Sequence, residues 1–462
     1  MADFVVNYTE LMKKYESQLD ESFKKLKGIF YTDFSLASLM IDELNIAKDS
    51  SIFDPCCGTG IFLLAAVKKG FRSVYGADED EIAVNAFKNL IDEARIVATD
   101  TIFTEGESTL KKIHLESKAD LVIGNPPYAP FPTIGSKSRF QDFVASSGKN
   151  LFVAALLRSF ELVKKGGIVS YIIPKNFLHV SSYSPLRVNI LKTKKILSIV
   201  DLGAYFKNVR GEQIILTIKN DPPRDNSIVF KRYNTNSFTE LCSIQQTDFN
   251  DEIIIYNNRV EPLLFAKLNQ SHGKLKDLGS GYIGRGKSKA ITAITGKDIR
   301  KFGFKNSETP KEGNRIFIQN IYSSESGIIA SRGGDLEASE TVTVFTDGDQ
   351  RMVSYLLGFL HSRLCNYYLY RFCFNQSKLT MHADANYIKK IPFKLADENE
   401  FNAMLRIVET LESTDYMSAM WMKHLEDLNK LVYLIYSLSI EEIEMVEKEM
   451  KLVQSKRWSF DG

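Results

Sequence analysis

The chain has little that could staple it, span a bilayer or anchor it. Its 462 residues include five cysteines, scattered, odd in number and without a C-x-x-C pair. That excludes a disulfide framework and a cysteine-spaced zinc site, and fits a reducing compartment. No apolar run approaches the ~20 residues needed to cross a membrane. The opening MADFVVNYTELMKKYE has neither a basic leader nor an apolar core, so no signal peptide is expected. Internal repeats and low-complexity tracts are lacking. Excess charge is lacking too: 59 Lys+Arg face 57 Asp+Glu, a formal net charge of +2. A nucleic-acid partner would therefore need basic residues gathered on one face. His114, His179, His361 and His382 show no metal-ligand spacing, so no metal site is expected. A nuclease-type Asp…Glu-x-Lys cluster is not evident either.

What remains is ordinary globular material, 44% hydrophobic and 25% charged, and too long for one typical domain. Residues 1–27 read as a charged amphipathic helix. From 28 to about 220, β-rich runs alternate with helical ones. Candidate strands are 51–56, 73–78, 94–100, 119–125, 167–174, 196–203 and 212–220. Candidate helices are 34–45, 60–69, 80–92, 150–164 and 185–194. This alternation predicts an α/β, doubly wound, mainly parallel sheet. The last two strands have no helix between them and read as an antiparallel hairpin. DPPRDNS (221–227) reads as a break. The expected division is 1–27, 28–225 and 226–462, the last part mixing short strands with helices into an α+β region.

Four strand ends carry the chemistry. DPCCGTG (54–60) leaves a strand and opens a helix. Gly58 and Gly60 allow a tight bend and close backbone approach to a ligand, and Asp54 can face a cationic amine. No G-K-[ST] follows this turn, which disfavours a phosphate loop there. VYGADED (74–80) ends in acid about twenty residues later, where Asp78 can accept from both hydroxyls of a ribose. Asp80 reads as a helix N-cap. Asp100, closing ATD (98–100), can accept from an adenine amine. LVIGNPPYAPF (121–131) places Asn125, Pro126, Pro127 and Tyr128 at the end of an apolar strand. The Asn125 side-chain carbonyl and the Pro126 main-chain carbonyl can each accept one hydrogen of a planar amine. The prolines hold that geometry rigidly. Tyr128 offers a ring face to a base.

The ordered set resembles the gamma-class (TaqI-like) N6-adenine DNA methyltransferases of restriction–modification systems, closely over about 28–220. The resemblance implies a Rossmann-like methyltransferase sheet followed by a C-terminal target-recognition domain, over 226–462. It implies S-adenosyl-L-methionine as cofactor and a flipped-out adenine of duplex DNA as substrate. IFYTDFSLASLMIDEL (29–44) looks like the family's N-terminal motif, implying cofactor contacts by Tyr31 and Thr32. With them, Asp54, Pro55, Cys56, Gly58, Gly60, Asp78, Asp100 and Asn125 form the expected cofactor set. Cys56 and Cys57 depart from the commoner motif and read as small packing residues. YIIPKNFL (171–178) and DLGAYFKNVRGEQIILTI (201–218) look like the later catalytic motifs. By that likeness Phe206, with Tyr205 as second choice, stacks on the base opposite Tyr128.

Lys175 is a candidate phosphate contact, as are Arg285, Lys287 and Lys289 on GRGKSK (284–289). The aromatics at 367–372 read as helix core sooner than as a stacking platform. Expected partners are double-stranded DNA and a separate cognate restriction endonuclease, with no membrane. The chain is expected to be monomeric, cytoplasmic and nucleoid-associated in a bacterium or archaeon. Methylation of a base amine in ribosomal RNA, or of a release-factor glutamine, is the alternative. A catalytically silent DNA-binding subunit is a third reading, which the intact NPPY disfavours.

Overall fold

The computed structural model describes residues 2–20, 30, 32–91, 94–132, 139–206, 211–270, 273–278, 282–379 and 381–455. It divides into two compact units, Met1–Asn257 and Asn258–Gly462. Among the described residues no helix is long and apolar enough to cross a membrane. All five cysteines are free thiols.

The first unit is built on a nine-stranded sheet in the order β3-β2-β1-β4-β5-β7-β6-β8-β9. Its parallel half comprises β1 (Ser51–Asp54), β2 (Ser73–Asp78), β3 (Ala94–Ala98), β4 (Ala119–Gly124) and β5 (Val163–Pro174). The central strands β1 and β4 are almost wholly buried. Side chains alternate between two faces. Ile52, Leu121, Ile123, Ile172 and Ile215 enter one core with helices α1 (Ala2–Gln18), α2 (Phe34–Glu43) and α3 (Ile61–Lys68). Their neighbours Phe53, Val122, Tyr171 and Ile214 are buried outside that core. On the sequence, α4 (Glu81–Phe87) follows β2, while α5 (Gly106–Lys112), α6 (Arg139–Ser146) and α7 (Leu151–Leu162) flank β4, and α8 (Ser184–Thr193) follows β5. This is the expected doubly wound arrangement.

The expected hairpin is present: β6 (Lys195–Gly203) and β7 (Gln213–Lys219) pair antiparallel, and β7 inserts beside β5. The first unit does not stop at 225, however. After the DPPRDNS turn, β8 (Ser227–Asn234) crosses over and pairs parallel with β6, and β9 (Ser237–Gln245) completes the sheet. The Pro-rich segment is a crossover within one sheet, so the compact unit runs to Asn257.

The second unit is mixed α+β, as the composition suggested. A four-stranded antiparallel sheet runs in the order Tyr282–Arg285, Val342–Thr346, Arg315–Gln319, Ala330–Arg332. Helices Gln350–His361, Glu398–Ser413, Ala419–Ile435 and Ile440–Ser455 follow. Arg363–Tyr368 continues into a π-helical turn, Leu369–Cys373. There the fully buried Arg371 makes a bidentate pair with Glu261, at 2.7 and 2.6 Å, and Tyr367 donates to the same carboxylate. The aromatic run 367–372 is core.

Candidate active site

Strand order reverses between β1 and β4, and the crevice outside their carboxyl ends is where open α/β sheets bind ligands. A cavity of about 740 Å³ opens there. Thr32, Asp54, Pro55, Cys56, Gly58, Asp78, Asp100, Asn125 and Pro127 all line it. Four separate strand ends thus deliver the expected residues to one place. Tyr31 lies outside the described residues.

Local backbone chemistry fixes the acids. Asp54 is buried at the end of β1 and accepts from Cys56 N–H at 3.1 Å. A Cβ on Gly124 would stand 2.5 Å from Asp54 Oδ1, so β4 must end in glycine for that carboxylate to fit. The Asp78 carboxylate accepts from Gly58 N–H at 2.7 Å and from Asp80 N–H at 2.9 Å, tying the glycine loop to the end of β2. Burial pushes both carboxyls above the usual aspartate range; at Asp78 the two N–H bonds offset this only in part. Asp100 Oδ1 accepts from Ile102 and Phe103 N–H, which orients its carboxylate at the cavity wall. Gly60 starts α3 at φ +81°, a conformation costly for any side chain. Asp80 caps α4 by accepting from Ile82 and Ala83 N–H, as the sequence indicated.

The NPPY turn is held from three sides. Asn125 Nδ2 donates to the Phe30 carbonyl at 2.7 Å and to Thr32 Oγ1 at 3.4 Å. Its Oδ1 accepts from the Tyr128 hydroxyl at 2.7 Å, and that hydroxyl also reaches the Ile172 carbonyl at 3.1 Å. Asn150, the N-cap of α7, donates to the Tyr128 carbonyl at 2.9 Å. These bonds fix which way the Asn125 amide faces. Burial raises the Tyr128 phenol well above its ordinary value, so it stays a neutral donor.

Phe206 is buried near the mouth of the β6–β7 hairpin. Phe30 contacts both proposed stacking rings, Tyr128 at 5.4 Å between centroids and Phe206 at 6.1 Å. Tyr205 packs edge-on to Phe206, and its hydroxyl is bonded to Asp33. Nothing in the sequence singled out Phe30, whose role depends on its ring contacts with Tyr128 and Phe206.

Lys175 corrects an expectation. It is 3% exposed, and its ammonium lies between Asp201 (3.0 Å) and Glu212 (3.1 Å). A lysine neutralised inside the hairpin base cannot meet a phosphate. Arg285, at the end of the strand Tyr282–Arg285, and Lys287 and Lys289 just beyond it are exposed. Residues 281–288, GYIGRGKS, also spell a phosphate-loop string. A phosphate loop joins a strand to a helix. Here Tyr282–Arg285 of the string form an antiparallel strand, and no helix follows Ser288 directly.

Residues 28–206 match the family described as Eco57I restriction-modification methylase. The chain is 30% identical over 217 residues to the type II methyltransferase M.VspI of Vibrio sp. (strain 343), covering 46% of this chain and 52% of that one. It is 28% identical over 226 residues to the modification methylase CviBIII of Paramecium bursaria Chlorella virus NC1A, covering 47% and 56%. The chain thus spans about half the length of these curated relatives. In fold it resembles the type IIL restriction-modification enzyme MmeI, solved in complex with DNA, with a TM-score of 0.52 at 13% identity, covering 97% of this chain and 78% of that one. The resemblance to restriction–modification DNA methyltransferases, and the Rossmann-like methyltransferase sheet it implied, therefore stand.

Proposed function

We propose that this chain methylates the N6 amine of a flipped-out adenine in duplex DNA, as a gamma-class enzyme using S-adenosyl-L-methionine. The observation that carries the reading is the Asn125–Pro126–Pro127–Tyr128 turn, fixed by hydrogen bonds at the wall of the acid-lined cavity.

The cavity suits the cofactor. Its three carboxylates at strand ends are the acceptors that an ammonium, a ribose and an adenine amine require. Asp54 faces the amino group, Asp78 takes the ribose hydroxyls, Asp100 takes the adenine amine, and Thr32, Pro55, Cys56 and Gly58 shape the wall, while Gly60, which does not line it, holds the turn of the loop. When bound, the cofactor supplies an electrophilic sulfonium methyl group.

The chain's own work is to present the nucleophile. Adenine's amine is planar because its lone pair is delocalised into the ring. Asn125 Oδ1 has two lone pairs, of which the Tyr128 hydroxyl uses one. It accepts one amine hydrogen with the other, and the Pro126 carbonyl accepts the second. Together they draw the nitrogen toward tetrahedral geometry. Rigid acceptors need no reorganisation during reaction, which is where such sites gain most of their rate. Tyr128 and Phe206 hold the base between rings, offsetting the few kcal/mol of unstacking. An incoming base must replace contacts that Phe30 now makes with both.

Target reading falls to the second unit, with Arg285, Lys287 and Lys289 as phosphate contacts. A monomer in the cytoplasm, at the nucleoid, beside a separate restriction endonuclease, completes the proposal. The test is incubation with tritiated S-adenosylmethionine and DNA, RNA or release factor, followed by nucleoside analysis. N6-methyladenine in DNA is expected. Label only in RNA or in release factor would overturn the reading.

A further inference from the structure

The helix before the family-matched segment is part of the cavity wall. Tyr8, Met12, Tyr15 and Leu19 recur at helical spacing and fall on one face of α1 and its C-terminal end. Tyr8 and Met12 are buried, 2% and 4% exposed. The Tyr8 hydroxyl donates to the Thr59 carbonyl in the glycine loop. A Cβ on Gly60 would lie 3.3 Å from that hydroxyl, so the loop is shaped for the tyrosine as well as for its own turn. Seven residues on, the Tyr15 hydroxyl donates to Asp80 Oδ2 at 2.7 Å, next to the proposed ribose acid. Both rings pack edge-on to Phe87, at 5.4 and 5.8 Å. Tyr15 and Leu19 line the same cavity as Asp78 and Asp80.

We propose that α1 is the outer wall of the cofactor site, with Tyr15 and Leu19 covering its nucleoside end, and that cofactor binding and α1 docking reinforce each other. This rests on the reading of the cavity as a cofactor site. In proteins most of a helix's stability comes from packing its amphipathic face rather than from intrinsic propensity. This one docks through the glycine loop and the Asp80 turn, the two segments whose positions also define the ribose end of the cavity. A ligand that steadies those segments steadies the helix, and the coupling is reciprocal.

The full chain is titrated calorimetrically with S-adenosylmethionine and S-adenosylhomocysteine, and hydrogen exchange over residues 2–18 is followed with and without them. Tyr15→Ala should weaken both ligands about tenfold, roughly 1.4 kcal/mol. Tyr15→Phe, which keeps the ring, should recover most of that, and Leu19→Ala, which leaves both hydroxyl anchors, should fall between. Either ligand should slow exchange across 2–18. Wild-type affinity in folded Tyr15→Ala and Leu19→Ala, or exchange indifferent to ligand, would overturn the inference while leaving the cofactor reading intact. A wild-type chain that binds neither ligand would remove that reading, and this inference with it.

Discussion

Lys175 Nζ lies 3.0 Å from Asp201 Oδ2, and both side chains are buried. Glu212, across the hairpin, takes the same ammonium at 3.1 Å. One lysine at the end of β5 thus clamps both arms of the hairpin whose loop carries Phe206. Burial pushes the Asp201 carboxyl up, but Lys175 and the Gly203 N–H more than offset it and hold it below the usual range. Removing one partner of a buried pair costs about 3–5 kcal/mol, because the other charge is stranded. Lys175→Met should therefore lower the urea midpoint of the first unit by a cost of that order. The triple exchange Lys175→Met, Asp201→Asn, Glu212→Gln should recover a large part of it. A midpoint unchanged in Lys175→Met would show that the clamp contributes nothing.

Phe206→Ala should weaken capture of the extruded base while cofactor affinity stays close to wild type. With 2-aminopurine at the target position, wild type should give a large fluorescence rise on binding that the variant alters. An identical response in both would remove Phe206 from the stacking role.

Cofactor affinity should fall on acidification sooner than an ordinary aspartate would dictate. Burial raises Asp78, so its protonated form, a weaker acceptor that can no longer take a hydroxyl on each oxygen, grows in at pH values above the usual aspartate range. Calorimetric affinities measured from neutrality downward should show the loss within that upper window. Asp78→Asn should bind weakly throughout and lose part of the dependence. A wild-type profile flat down to the ordinary aspartate range would contradict this.

The second unit should weaken in mild acid. Burial, with help from the Lys301 charge, brings the His361 imidazole down to about 3. Its Nδ1–H donates to the Leu357 carbonyl and its Nε2 accepts from Ala330 N–H, a pattern only the neutral ring can make. The unfolded chain binds that proton near the ordinary value of about 6.5 and the native one does not. Between those values stability falls as pH falls, by up to about 1.4 kcal/mol per unit. Thermal melts from pH 7 to pH 5 should show a declining midpoint, with a shallower slope in His361→Gln. Equal slopes would assign the acid sensitivity elsewhere.

The central strands β1 and β4 were legible as buried, apolar runs, and β1 to β4 each lead into a motif residue, Asp54, Asp78, Asp100 and Asn125. The β6–β7 hairpin was legible from the missing helix between its strands. β8 and β9 were not read into the same sheet. Ser227–Asn234 pairs with β6, not with the strand it follows, and DPPRDNS looks locally like any break. The cavity residues announced themselves by type and order. Lys175 did not, since its exposure depends on Asp201 and Glu212, both distant in sequence. Phe30 and Tyr15 were likewise invisible: their meaning lies in what they touch across the strand ends.

The most direct test is Asn125→Ala, assayed for N6-methyladenine on a duplex carrying the target and for S-adenosylmethionine affinity by calorimetry. Loss of one preorganised polar partner costs about 10²–10³ in rate at such sites. The account predicts a loss at least that large with the cofactor still bound. Methylation at the wild-type rate in that variant would contradict it.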